Sequence, residues 1–335
     1  MLQVTNKTPF KATLLLLPDA SGIDTLFTVV KATFRTAAQP TLADEQVPVA
    51  LADQHYADPA TTSIRVPSDV CLGKPATDVL LSGSAYAPGG TPAWQMDVSL
   101  SVGPLAKVAR VFGDRVWETS SGIGSVNWVA PFVRMPLVWE RAFGGRDLTS
   151  KGPTAEPRNP VGAGFHASGG TKPLQGAPLP NVEDPTSLIT TAGNTPQPAG
   201  FAAIGAHWEP RKRFAGTYDE SWQKTRAPYL PADFDARFFQ LAPPDLIVPG
   251  YLAGGEPVEL RGLTPEGLLR FTLPAIRVTV VHRIEGREEE RVGSLDTVSI
   301  EPDAQRFTLV WRTSLRCDKK ALKISGVTVD ARSRH

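Results

Sequence analysis

The stretch WQMDVSLSV, residues 94–102, decides the fold class. Trp94, Met96, Val98, Leu100 and Val102 fall on one face of an extended chain, and Gln95, Asp97, Ser99 and Ser101 on the other. Apolar residues at every second position mark a half-buried strand, because successive side chains of a pleated chain point to opposite sides. Working outward, DTLFTVVKATFRT (Asp24 to Thr36) is rich in the β-branched and aromatic residues that suit a pleated surface. KATLLLLPD reads as a further strand: its apolar core is too short for a secretory leader, and no small-residue cleavage site follows at the right distance. DVLLSGSAYAP and LAKVARVFGDRVW continue the pattern, with APGGTP expected to connect a hairpin and GDR (Gly113 to Arg115) to turn another. Beyond Pro257 come LLRFTLP, IRVTVVHRI, ERVGSLDTVSIEP and RFTLVWRTSL, separated by short polar turns. Phe307, Leu309, Trp311 and Leu315 share a face of the last, and EGREEER reads as a solvated hairpin tip.

Residues 142–257 are of another kind. More than half of the 31 prolines lie there, with few alternating runs and many turn dipeptides, so a loop-rich segment is expected, since proline blocks helix interiors and central strands. Yet Phe143, Phe165, Phe201, Trp208, Phe214, Tyr218, Trp222, Tyr229, Phe234, Phe238 and Phe239 run through it, and a disordered segment lacks such residues. The segment is therefore expected to be ordered and packed on a scaffold, with one short helix in ADFDARFFQLAPP starting near Asp233 or Asp235. The expected fold is mostly β: antiparallel, sandwich-like sheets, a long ordered Pro/Gly-rich irregular middle region, and few short helices. We expect one unit over residues 1–335, with an N-terminal β region (1–141), the irregular region (142–257) and a C-terminal β region (258–335).

Composition narrows the function. Thirty-five basic side chains against 34 acidic ones give a net charge of +1, which leaves no electrostatic footprint for nucleic acid or an anionic membrane. No run approaches the roughly 18 apolar residues of a membrane span. A cytoplasmic protein is expected. Cys71 and Cys317 are far apart and suit two reduced core thiols better than a disulfide.

No motif for chemistry emerges. RNPVGAGFH, residues 158–166, looks built to hold something, but it lacks the spacing of a phosphate-binding loop, and GGTKPLQGAPLPN after it cannot form a helix. The reading is structural: Pro160 fixes the backbone, Gly162 and Gly164 allow tight turns, Phe165 pins the loop, and Asn159 bridges backbone groups, shaping a rigid recognition surface. His166, His207, Asp233 and Asp235 would make a metal site only if folding gathered them, since no ligand spacing joins them. His282 lies in an expected strand and His335 ends the sequence. Cys71 has no nearby base, and there is no nucleophile elbow. Adjacent acids, as at Glu183/Asp184, Asp219/Glu220 and Asp233/Asp235, suit capping; a hydrolase built from dispersed Glu183, Asp219 and Asp235 is the enzymatic alternative. No catalytic, cofactor-binding or metal residue is assigned. What recurs is charge beside aromatic, in WERAFGG, WEPRKRF, GTYDESW and FDARFF. Arg141, Arg211, Arg237 and Asp235 form either a buried network or part of a protein-binding surface.

Taken in order, these motifs resemble an uncharacterised bacterial family, domain-of-unknown-function family 2169. The resemblance is carried by PLVWERAFGG (136–145, with Trp139 and Arg141), RNPVGAGF (158–165, with Asn159, Gly162 and Phe165) and LPNVEDP (179–185, with Asn181 and Glu183). It continues through residues 198–245, which contain Trp208, Arg211, Tyr218, Asp219, Trp222, Asp235, Arg237 and Phe238, and GGEPVELRGLTPEG (254–267). QVTNKTPF and the strand with VVKATF match the family's start. The resemblance implies a link to type VI secretion: an adaptor or chaperone that binds a PAAR-type or toxin effector and helps load it onto the VgrG spike. The family supplies no catalytic residues, so the named residues are candidates for partner contact or for shaping the motifs. A structural component of the secretion apparatus is a further alternative.

Overall fold

The computed structural model describes residues 2–120, 123–126, 129–147, 154–167 and 175–333. His335 and part of GGTKPLQGAPLPN lie outside them. The chain is mostly β, in several sheets, and among the described residues it has a single short α-helix, Glu220–Thr225. No helix is long and apolar enough to cross a membrane.

Asp24–Arg35 forms the expected long strand, antiparallel to both Lys11–Pro18 and Arg306–Arg316. Ser294–Glu301 continues this sheet antiparallel, and Asp78–Leu81 closes it in parallel. WQMDVSLSV forms Gln95–Val102 and turns through Gly103 and Pro104 into Leu105–Phe112. Gly103 opens this turn at φ +53°, which a two-residue hairpin of matching twist favours in glycine. Pro257–Arg261 and Leu268–Thr272 complete the second sheet on one side, and Val182–Glu183 flanks it on the other. In a third sheet Gln3–Asn6 pairs in parallel with Ile324–Ser333, followed by Ile276–Ile284 and Arg287–Val292. Strands far apart in the sequence thus share each sheet. One apolar cluster runs through all three, and Phe271 of the second sheet stacks on Phe307 of the first, with ring centroids 4.9 Å apart.

Several local expectations fail for identifiable reasons. Val98, Leu100 and Val102 are buried as the alternation requires, but Trp94 stands before the strand and is exposed. APGGTP joins no hairpin: Ser84–Tyr86 pairs instead with Arg134–Pro136, and Pro88 and Pro92 cannot donate to a ladder. DVLLSGSAYAP is accordingly two strands in different sheets. GDR turns no hairpin either, because Leu105–Phe112 pairs backwards with Gln95–Val102 while Trp117–Ser120 pairs with Ile123–Val126. In EGREEER only Glu285 and Gly286 form the tip, at φ +50° and +77°; the charged residues after them form the edge strand Arg287–Val292. Charge on an exposed edge discourages the addition of further strands.

The centre of the first sheet is buried on both faces, including its charges. Lys31 bonds Asp69 at 2.8 Å, Arg312 bonds Asp296 at 2.8 Å and the Asp69 carbonyl at 2.7 Å, and Lys74 bonds Asp78 at 2.7 Å. The Asp78 carboxylate also accepts from the Gln240 side chain at 2.6 Å and from the N–H groups of Leu241 at 2.8 Å and Ala242 at 3.2 Å. This carboxylate thereby ties the irregular region to the sheet, together with main-chain bonds such as that from the Leu81 N–H to the Phe201 carbonyl at 3.0 Å.

Breaking a buried pair strands the surviving charge. Asp78→Ala is expected to cost about 3–5 kcal/mol in urea unfolding, and the double change Lys74→Met/Asp78→Ala less than the sum of the two single ones. At the surface, hydrogen bonds from Lys320 and Lys323 pull the Glu285 carboxyl down to about 2. The folded value lies below the unfolded one, near 4.3. The contribution of this cluster is therefore whole above about pH 4.3 and is lost as pH falls through about 2. An NMR titration should find the Glu285 midpoint near 2, and Lys320→Met/Lys323→Met should move it upward.

Candidate functional site

WERAFGG and RNPVGAGF close on one another as a single knot. Phe143–Gly144 pairs in parallel with Ala163–Gly164, and the Ala163 and Phe165 N–H groups donate to the Ala142 and Gly144 carbonyls, each at 3.0 Å. Asn159, fully buried, donates its amide to the carbonyls of Trp139 at 2.8 Å and Phe143 at 2.9 Å. A Cβ on Gly144 would lie 2.1 Å from the Asn159 carbonyl oxygen, and one on Gly162 2.4 Å from its amide nitrogen. Glycine at 162 therefore answers a close approach of chains, whereas Gly164 also has a positive φ of +90°.

Trp139 covers the next layer. Its indole N–H donates to the Ala203 carbonyl at 2.9 Å, and its ring meets Trp208 edge-on at 6.0 Å. Gly200 lies under the ring so closely that a Cβ would come within 2.7 Å of it. Phe165 packs with a satellite cluster of Trp117, Phe143, Leu179 and Ile189. The loop is thus pinned as expected, but its Asn159 faces inward and offers nothing to a partner.

LPNVEDP ties the knot to the second sheet. Asn181 donates to the Phe112 carbonyl at 3.2 Å and to Asp114 at 3.0 Å, and accepts from Arg141 at 2.9 Å. The hydrogen bonds from Asn181 and Arg141 hold the Asp114 carboxyl below its usual value. Glu183 forms a buried ion pair with Arg115 and accepts from the Ile189 N–H at 2.7 Å. Burial pushes the Glu183 carboxyl up against the pull of Arg115.

The arginines do not form one network. Arg211 is buried, donating to the carbonyls of Ile204 at 2.6 Å and Phe238 at 2.9 Å. Arg141 is half-buried beside Asn181, and Arg237 is exposed, paired with Asp235 and lying over the Phe214 ring at 4.3 Å. The reason is spacing: each fork is filled by groups next to it. The expected helix in FDARFF is a single 3₁₀ turn, Ala236–Phe239, with Asp235 capping the Arg237 N–H at 2.8 Å. The α-helix lies earlier, where Asp219 caps the Trp222 N–H at 2.8 Å.

Residues 216–239 make a largely exposed arm on this base, tied back to the first hairpin's turn by Arg226, which donates to the Ala20 carbonyl at 2.8 Å. Tyr218 is 54% exposed and meets Trp222 at 4.8 Å. The Trp222 indole donates to the Tyr229 carbonyl at 2.8 Å, and Phe234, Phe238 and Phe239 cluster at the arm's root. The proposed acids do not converge: Glu183 is held by Arg115, Asp219 caps the helix, and Asp235 caps the 3₁₀ turn. Nor do His166, His207, Asp233 and Asp235 gather. Asp233 is taken by Thr217, His207 accepts from the Trp208 indole at 2.9 Å, and no such group of three forms a metal site among the described residues.

Beside the knot opens a cleft of about 460 Å³, lined in part by Lys107, Val108, Trp139, Arg158, Glu209 and Asp245. Lys107 is buried under it, 2.9 Å from Asp245 and 5.4 Å from the centre of the Phe201 ring. Burial pushes the Lys107 ammonium down, with Asp245 opposing the shift. Neither residue was singled out in the sequence. The available signal is a lysine between small and apolar neighbours in LAKVARV.

Asn159→Ala should cost about 1–3 kcal/mol, since two buried carbonyls lose a donor. Asn159→Asp, equal in shape but unable to donate when ionised, should cost at least as much. Gly144→Ala should prevent the knot from closing. Urea unfolding followed by tryptophan fluorescence measures all three.

No curated protein and no solved structure matches the chain. A family model matches over residues 21–312, which include the knot, the arm and the cleft. The chain therefore belongs to the family described as an uncharacterized protein conserved in bacteria, DUF2169.

Proposed function

We propose that the protein is a non-catalytic adaptor or chaperone of the bacterial cytoplasm. It binds a PAAR-type or toxin effector and assists its loading onto the VgrG spike of a type VI secretion system. The observation that carries this reading is the arm. The family-like motifs use their buried members to build a rigid base, and they leave Tyr218 and Tyr229 exposed on either side of Trp222. Tyrosine and tryptophan on a rigid support are the usual anchors of protein interfaces, because they bring large contact area at little entropic cost. The cleft opens next to the same base.

The test is co-expression of the tagged protein with the products of its neighbouring genes, followed by size-exclusion chromatography. A stable complex with a PAAR-containing or toxin protein is the expected result; a monomer beside soluble, expressed candidates would refute the reading. Tyr218→Ala should leave the melting temperature within about 2 °C of the parent and weaken that complex at least tenfold. Phe238→Ala should act differently, lowering stability, because Phe238 carries the Arg211 guanidinium 5.2 Å above its ring.

A further inference from the structure

The strand Leu105–Phe112 has an unfinished edge, and that edge faces the cleft. On this side only Arg110 and Val111 are paired, to Glu183 and Val182. The Phe112 N–H donates to the Asn181 carbonyl at 2.7 Å, and Arg110 stands opposite Glu183. In an antiparallel ladder alternate residues turn both main-chain groups to the same neighbour. Val108 and Ala106 therefore turn theirs to this side as well. The ladder stops because the residue due opposite Val108 is Pro185, which has no N–H. Asp184 has already bent the chain away by accepting from the Thr186 N–H at 2.8 Å. Among the described residues no main-chain partner reaches Ala106 or Val108 from this side. Val108 is 46% exposed. Lys107 and Val108 both line the cleft although their side chains leave the strand on opposite faces, so the cleft wraps the edge itself.

We propose that this cleft takes an extended, uncharged segment of a partner polypeptide, which adds to the sheet as a strand along Ala106–Val108. This rests on the adaptor reading and specifies the part of the partner that is held. Main-chain hydrogen bonds to an open edge supply affinity, and pockets for alternate side chains supply selectivity. Most charges at the cleft are paired, Lys107 with Asp245, Arg213 with Glu209 and Arg158 with Glu156, at 2.9, 2.7 and 2.6 Å, and the Asp184 carboxylate accepts from the Thr186 N–H and hydroxyl at 2.8 and 2.7 Å. A charged segment would have to compete with these contacts, which an uncharged one leaves intact. Pro198, Pro210, Pro243 and Pro244 give walls without N–H donors, which suit apolar side chains. The Pro244–Leu246 turn packs against the same strand and, with Pro243, forms one wall of the cleft beside that edge.

The probe is a displayed library of random linear 12-residue peptides, selected against the folded protein and read by fluorescence anisotropy of the enriched sequences. Val108→Pro removes the outward N–H at a position where an edge tolerates proline. Enriched peptides should be uncharged with alternating apolar residues, and should bind Val108→Pro at least tenfold more weakly than the parent and Val108→Thr about equally. N-methylation of alternate amides in the best peptide should abolish binding in one register and spare it in the other, which tests the ladder even if Val108→Pro does not fold. Failure to enrich, enrichment of charged sequences, or equal binding by Val108→Pro would overturn the proposal. So would a concentration-dependent dimer lost in Val108→Pro, which would assign the edge to a second copy of the chain. If peptides bind as described while no neighbouring gene product co-purifies, the strand site stands and the secretion reading falls.

Discussion

A strand buried on both faces has no solvent in which to keep a charge, and the buried strands of the first sheet carry four: Lys31, Asp78, Asp296 and Arg312. Each needs an opposite charge brought to it, because an unpaired buried ion costs several kcal/mol. Asp296 and Arg312 satisfy one another across neighbouring strands. Lys31 and Asp78 take Asp69 and Lys74 from the irregular chain before Asp78. Such pairs add little net stability over apolar packing, but they make any other placement of that chain expensive. Through Gln240, Leu241 and Ala242 the same requirement fixes the far end of the irregular region.

From that fixed point the knot follows. Residues without regular structure must still satisfy their main-chain groups, and here they do so by closing two loops on each other around the Asn159 amide. Gly144 and Gly162 let the backbones approach to distances no side chain would permit. The arm and the cleft stand on opposite uses of this base: one projects aromatic rings, the other leaves a strand edge uncovered.

The sheets were legible because alternation reports burial directly. Gln95–Val102, Asp24–Arg35 and Arg306–Arg316 all fall where their residues predict. Pairing was not legible: APGGTP and GDR look like turns between neighbours, but the strands they border find partners far along the chain. The ordering of the proline-rich region followed from its aromatics. The separate roles of its residues did not, since Arg211 and Arg237 sit in similar local sequence while one is buried and the other exposed. Period-two reading also puts Arg312 on the face opposite Phe307, Leu309, Trp311 and Leu315. Only the three-dimensional arrangement shows that face to be covered.

The interleaving of early and late strands has a consequence for synthesis. Asp24–Arg35 can form a hairpin with Lys11–Pro18 as soon as it is made, but its other edge waits for Arg306–Arg316. At about 5–20 residues per second, that wait is on the order of ten seconds or more. Throughout it the newborn chain displays an unpaired, apolar strand edge, the kind of surface that recruits chaperones or aggregates. With closure deferred this long, folding should be slow and dominated by non-local contacts, with the exposed edge open to chaperones at the ribosome until the last strands emerge.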